Sequence, residues 1–250
     1  MLRANAMSAA PATLSVVIAS LNPGSRLPAT LSSLREQRWV QPEIIIVERG
    51  STDGTRAWLE AQASGSVTVI SADGAGYFEA LNRGIAAARH EWLLFLVAGD
   101  RLVGEVVLDE TLNWTKKTEA GIVVGEAAFD DGRIVKLSTK VNAAARNFVP
   151  HSSTFYRRTL FEENDLFDTT LPTAADYEFH ARLWKSHIRF KPIPLRIAAC
   201  TTHEPVETHS WRAAREEMTV RHRYFSRGRC LWWDLASILR WLGRKLSPSR

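Results

Sequence analysis

The chain has 250 residues, is 45% hydrophobic and 24% charged, and carries a formal net charge of +5. This composition excludes a disordered chain, and the length suits one large domain or a domain with an appendage. Two cysteines, Cys200 and Cys230, are too few for a disulfide framework or a four-cysteine zinc site, which points to a reducing cytosol. No apolar run approaches the roughly 20 residues of a membrane helix. Met1 to Thr13 is a ragged, Ala-rich start without the sustained apolar core of a signal peptide. The positive balance favours anionic partners, among them nucleotides, phospholipid surfaces and nucleic acid.

Leu14 to Ala19 is a first buried strand, ending in the turn-rich Ser20-Leu21-Asn22-Pro23-Gly24. Leu27, Leu31 and Leu34 recur at helical spacing and predict a helix ending near Gln37. Pro42 to Glu48 is a second aliphatic strand, broken at Arg49 to Thr55. There Ser51 to Asp53 are good N-cap types for the helix that holds Trp58 and Leu59. Val67 to Ile70 is a third strand, and Ala80 to Arg89 an Ala-rich helix. Trp92 to Val97 is an unbroken apolar run suited to a central strand. It delivers one acid, Asp100, to the strand's carboxyl end, where ligands bind in open α/β sheets. Strand and helix thus alternate from residue 14 to 100, which predicts a mostly parallel sheet with helices on both faces.

Beyond Asp100 the pattern changes. Val106 to Trp114 is helical in pattern. Gly121 to Gly125 and Arg133 to Leu137 are strands joined through a turn at Asp130-Asp131-Gly132. Pro150 to Tyr156 is followed by a helix from Arg158, a second helix runs from Ala174 to about Lys185, and Arg189 to Ala199 is extended. From about Glu207 the chain is rich in Arg and Trp. Leu231, Leu235, Ile238, Leu239, Leu242 and Leu246 fall on one helical face, opposite Arg240, Arg244 and Lys245. Such a helix either packs on the main domain or lies in a membrane interface, which Trp232, Trp233 and Trp241 favour.

Six blocks in this order carry a resemblance. They are Ser15 to Ile18 with Asn22; Glu43 to Glu48 with Gly50 to Thr55; Ala80 to Gly84; Phe95 to Asp100; Pro150-His151; and Ala175 to Glu178. Together, over Leu14 to Leu183, the chain resembles the family 2 glycosyltransferases, in particular bacterial enzymes of exopolysaccharide, lipopolysaccharide and colanic-acid type. The resemblance implies an α/β, GT-A, Rossmann-like three-layer sandwich over residues 1–206, with a basic, Trp-rich C-terminal helical extension over 207–250. It implies an inverting, metal-dependent transfer of a sugar from a nucleotide-diphosphate donor, by default a UDP-sugar. The acceptor would be a saccharide or polyprenyl-linked saccharide in cell-surface polysaccharide biosynthesis. The enzyme would be cytoplasmic and peripheral to the inner face of the cell membrane, with no nucleic-acid partner.

The residue assignments follow from the same comparison. Asp100 matches the last acid of the family's metal motif and would hold Mg2+ or Mn2+, with His203 as a further ligand and His209 as its competitor. Asp176 matches the catalytic base, with Glu178 in reserve. Glu48 stands where the family has an Asp that hydrogen-bonds the nucleobase, and Ala19, Ser20 and Asn22 line the first loop. Asp53 either contacts the base or ribose or caps its own helix. Asn82 and Arg83 belong to the sugar-diphosphate region, Arg83 pairing with phosphate or staying solvated, and Ala98 is a further donor-binding residue. His151 lies near the acceptor or diphosphate, or is structural. Three positions depart from the pattern: Arg49 after Glu48, Val97, and Gly99 where an acid is common. They motivate an alternative, a catalytically weakened scaffold subunit of a polysaccharide assembly complex.

Overall fold

The computed structural model describes residues 14–62, 65–137, 143–145, 147, 149–201 and 210–246, with side chains up to 242. Three βα units open it: β1 (Leu14–Ser20) and α1 (Arg26–Arg35), β2 (Glu43–Glu48) and α2 (Thr55–Gln62), β3 (Val67–Ser71) and α3 (Tyr77–Ala87). Next come β4 (Trp92–Val97), β5 (Arg101–Leu102), α4 (Val107–Thr115), β6 (Ile122–Phe129) and β7 (Ile134–Val135). A short 3-10 turn, His151–Ser153, leads into β8 (Thr154–Arg157), α5 (Thr159–Glu163), α6 (Ala175–Lys185) and β9 (Phe190–Cys200). Two helices, α7 (Trp211–Tyr224) and α8 (Arg227–Leu246), end the described chain.

The strand order is β3-β2-β1-β4-β8-β6-β9-β5, with β7 paired to β6. The first four strands are parallel, with Val17 opposite Ile45 on one side and Phe95 on the other. β8 then enters antiparallel between β4 and β6. The half after Asp100 is therefore mixed, in keeping with the change of pattern there, and β6 and β7 pair antiparallel across the turn expected at Asp130 to Gly132.

Period-2 alternation sorts these strands' side chains to two faces. Val17, Ile45, Leu93 and Phe95 face α3 and α6 through Phe78, Leu81, Ile85, Phe179 and Leu183. Val16, Ile18, Ile44, Ile46, Leu94 and Leu96 face α1 and α4 through Leu27, Leu31, Leu34, Leu108 and Leu112. Each such side chain, nearly all fully buried, contributes roughly 1.5–3 kcal/mol relative to exposure. Gly84 lets α3 approach the sheet: a Cβ there would stand 2.3 Å from Val17 Cγ1.

α7 is clasped to α6. Glu178 accepts hydrogen bonds from Arg182 and from the Tyr224 hydroxyl, and Thr173 donates through its amide and hydroxyl to Glu216. α8 packs on α7 through a polar seam. Arg221, fully buried, donates to Asp234 at 2.7 Å and to Ser237 at 2.9 Å, and Ser237 donates to Glu217. The helix thus docks by its polar side. Leu231, Trp232, Leu235, Leu239 and Leu242 point outward, between 41% and 75% exposed. Among the described residues no helix is long and apolar enough to cross a membrane.

Candidate active site

The loops after β1, β2 and β3 are laced into one rim. Asn22, at φ 45°, accepts through Oδ1 from the Thr52 amide at 2.8 Å, while its own amide donates to Ser51 Oγ. Asp53 accepts from the Gly24 amide at 2.8 Å and from the Thr55 amide at 3.1 Å, so it both joins two loops and caps α2. The Thr55 hydroxyl, with these two amides, holds its carboxyl below the usual range.

Glu48 ends β2 with its carboxylate buried. It accepts from the Ser51 and Gly50 amides and, through Oε2, from Arg56 at 2.8 and 3.1 Å. Burial alone would raise its pKa; these donors outweigh burial and lower it. Arg56 also reaches Asp73 beyond β3. The cation beside Glu48 is therefore Arg56. Arg49, adjacent in sequence, turns instead to the Ala75 carbonyl at 2.8 Å. Ser20 is fully buried, and among the described residues its hydroxyl has no hydrogen-bond partner. Ala19 is buried beside it.

On α3, the Asn82 amide pairs with both backbone groups of Phe167, at 2.9 and 3.1 Å. Arg83 reaches one turn back to Glu79 on the exposed helix surface. These engagements fix Asn82 as a brace between α3 and the Phe167 segment.

Ala98 and Asp100 are buried just past β4. Asp100 Oδ2 accepts from the Ser152 hydroxyl and, at 3.1 Å, from the Val97 amide; Oδ1 accepts from the Thr201 amide at 3.3 Å. Burial nevertheless prevails and pushes its pKa up. A buried carboxylate with one long hydrogen bond on Oδ1 suits a cation that brings its other ligands with it, because Mg2+-type sites use one or two carboxylates plus substrate phosphates and water. Among the described residues no group of three or more His, Cys, Asp or Glu forms a protein-only cage. His203 and His209 lie outside the described residues. Gly99 has φ 114°, and a Cβ there would meet Thr201 Oγ1 at 3.1 Å. The glycine at this position thus has a backbone reason as well as a packing one.

His151 stacks on Phe95, with ring centroids 5.2 Å apart, and both ring nitrogens are buried without a partner among the described residues. Burial lowers its pKa to about 4, so the ring is neutral. Asp176 opens α6: Oδ2 accepts from Asn147 Nδ2 at 2.7 Å and Oδ1 from the Tyr177 amide. Glu178 faces α7 in the clasp described above. Asn147, His180, Tyr156 and Arg56 carry no signal in the sequence, because each acquires its partner through tertiary folding.

A sheet of this order, with its loops gathered at the carboxyl ends of the parallel strands, has the GT-A architecture of nucleotide-diphospho-sugar transferases. Solved structures agree on the fold. S. aureus TarS 1-349 in complex with UDP-GlcNAc has a TM-score of 0.71 at 17% identity, over 93% of this chain and 74% of that one. The mannosyltransferase PcManGT of Pyrobaculum calidifontis, in complex with GDP-Man and Mn2+, has a TM-score of 0.67 at 17% identity, over 95% and 76%. The chain covers 44% of the longer TarS chain. The model of glycosyl transferase family 2 matches residues 15–218, and the chain belongs to that family. A PGL/p-HBAD biosynthesis glycosyltransferase of Mycobacterium bovis is 31% identical over 187 residues, 69% of this chain and 70% of that protein. An uncharacterised glycosyltransferase of Mycobacterium tuberculosis is 29% identical over 204 residues, 78% of this chain and 76% of its own length.

Proposed function

We propose that the protein is an inverting glycosyltransferase that takes a sugar from a nucleoside-diphosphate donor, by default a UDP-sugar, and attaches it to a saccharide or polyprenyl-linked saccharide of the cell surface. The observation that carries this reading is the rim of laced loops at the carboxyl ends of β1 to β3, continued past β4 by the buried Asp100. Ligands of open α/β sheets bind at this edge. The two GT-A structures with bound UDP-GlcNAc and GDP-Man support a nucleotide-sugar donor.

In this reading Ala19, Ser20, Asn22, Glu48 and Asp53 form the nucleotide side. The Ser20 hydroxyl is the group with hydrogen-bonding capacity to spare. Glu48, fixed by Arg56, shapes the loop and presents its remaining lone pairs. Asn82, Arg83 and Ala98 belong to the diphosphate side. Asp100, with His203, would hold Mg2+ or Mn2+, which supplies charge neutralisation for the departing nucleoside diphosphate. Asp176 takes the proton from the acceptor hydroxyl as that oxygen attacks the anomeric carbon. The bond to the diphosphate oxygen breaks on the opposite face, so the configuration inverts. A panel of UDP- and GDP-sugars, assayed for release of nucleoside diphosphate with and without Mn2+, tests the reading. Mn2+-dependent release supports it. A chain that binds no nucleotide sugar is the silent scaffold instead.

We assign residues 207–250 as a functional extension that seats the enzyme on the cytoplasmic membrane face. Its support is the inverted docking of α8, which turns an apolar stripe to solvent beside exposed Arg227 and Arg229. Apolar insertion flanked by cations suits an anionic lipid surface. Flotation with vesicles containing phosphatidylglycerol should carry the protein, and L235D/L239D should abolish it. Equal flotation of that variant would remove the assignment.

A further inference from the structure

Asp176 and His180 stand four residues apart on α6, and so share one helix face. Asn147 spans the gap between them. Its Nδ2 donates to Asp176 Oδ2 at 2.7 Å, and its Oδ1 lies 2.9 Å from His180 Nδ1. The same Oδ1 accepts from the Val149 amide at 3.3 Å, which fixes the orientation of the side-chain amide. His180 must then carry its proton on Nδ1 and present a lone pair on Nε2. The Tyr156 hydroxyl, 2.8 Å from Nε2, is the donor to it.

We propose that Asn147, His180 and Tyr156 form a neutral strut of positioning residues that aims the Asp176 carboxylate at the acceptor hydroxyl; this rests on the reading of Asp176 as the base. The foot of the strut is rigid. Tyr156 and His180 are fully buried, and Tyr156 lies in β8 between Leu93 of β4 and Ile122 of β6. The segment bearing Asn147 is pinned as well: Tyr177 donates to the Ala143 carbonyl at 2.8 Å, and Arg221 to the Ala145 carbonyl at 3.2 Å. Burial pushes the His180 pKa far down and the Tyr156 pKa far up, so both stay uncharged. An amide in the middle of the chain does not pass protons at neutral pH. The strut therefore orients the carboxylate and does not drain it, and the proton taken by Asp176 leaves to solvent or product.

The test is hydrolysis of the best donor from the UDP- and GDP-sugar panel, with water in place of the acceptor, in the full chain with Mn2+. His180→Leu removes the donor to Asn147, whereas His180→Asn retains an N–H near the position of Nδ1. H180L should lower kcat by about ten- to a hundredfold, with donor affinity by calorimetry unchanged, and H180N should recover most of that loss. Wild-type kcat in H180L, or equal losses in H180L and H180N, overturns the strut. If H180L does not fold, Tyr156→Phe serves: it should lower kcat by a smaller factor without changing donor affinity, and an unchanged kcat overturns the proposal. Asp176→Asn separates the two readings. An active D176N removes the base assignment, whereas an inactive D176N beside a fully active H180L removes the strut alone.

Discussion

Asp100 carries a stability cost. A raised carboxyl pKa means that the folded chain prefers the protonated acid, so ionised Asp100 opposes folding above its folded-state pKa and the opposition fades as pH falls. Asp100→Asn should therefore raise Tm at neutral pH by about 2–4 °C, the shift that about 1 kcal/mol produces in a chain of this size. Donor turnover should fall with it, a combination that marks a functional carboxylate. His151 has the opposite pH sense. Its depressed pKa keeps the folded ring neutral while the unfolded chain takes up protons, so stability is full above the ordinary histidine pKa of about 6.5 and is lost as pH falls towards about 4. Thermal melts across that window should show the loss, and His151→Phe, which keeps the stack on Phe95, should diminish it. A pH-independent difference between the two proteins would remove this role. Asp100 and Asp176 were legible as acids after an apolar run and in a family block. Their hydrogen-bonding environments were not, because Ser152, Thr201 and Asn147 lie 29 to 101 residues away in sequence.

Elements explain the departures from the family pattern. Gly99 stands at positive φ against Thr201, so the acid common at this position would be strained here. Gly99→Asp should cost about 1–3 kcal/mol, measured by denaturant unfolding, and should not raise metal-dependent turnover. Stability equal to the wild type would show that the turn relaxes freely. The parallel strands and their helices follow directly from aliphatic runs and capped turns, and β1 to β4 fall where those runs are. The insertion of β8 antiparallel between β4 and β6 was not legible, because a four-residue strand of Thr-Phe-Tyr-Arg carries no information on its partners. The role of Arg56 is hidden in the sequence for a similar reason. It looks like a solvated helix residue until the Ser51-to-Gly54 turn folds it back onto Glu48.

At the scale of the whole molecule, α8 shows what periodicity can and cannot decide. Its apolar face is plain in the sequence, but the direction in which that face points depends on Arg221, Asp234 and Ser237 giving the helix a polar seam against α7. The same Arg221 holds the Ala145 carbonyl, so the helix pair also supports the segment that carries Asn147. Deleting α8 would strip a buried guanidinium of its Asp234 and Ser237 partners, and for that reason point substitutions on the exposed stripe are the proper probe of lipid binding. The central claim, sugar transfer with Asp176 as base, is tested most directly by one measurement: Mn2+-dependent release of nucleoside diphosphate from a panel of UDP- and GDP-sugars, wild type against D176N. The account predicts release with at least one donor and a loss of about a hundredfold or more in D176N. Equal release by the two proteins would contradict it.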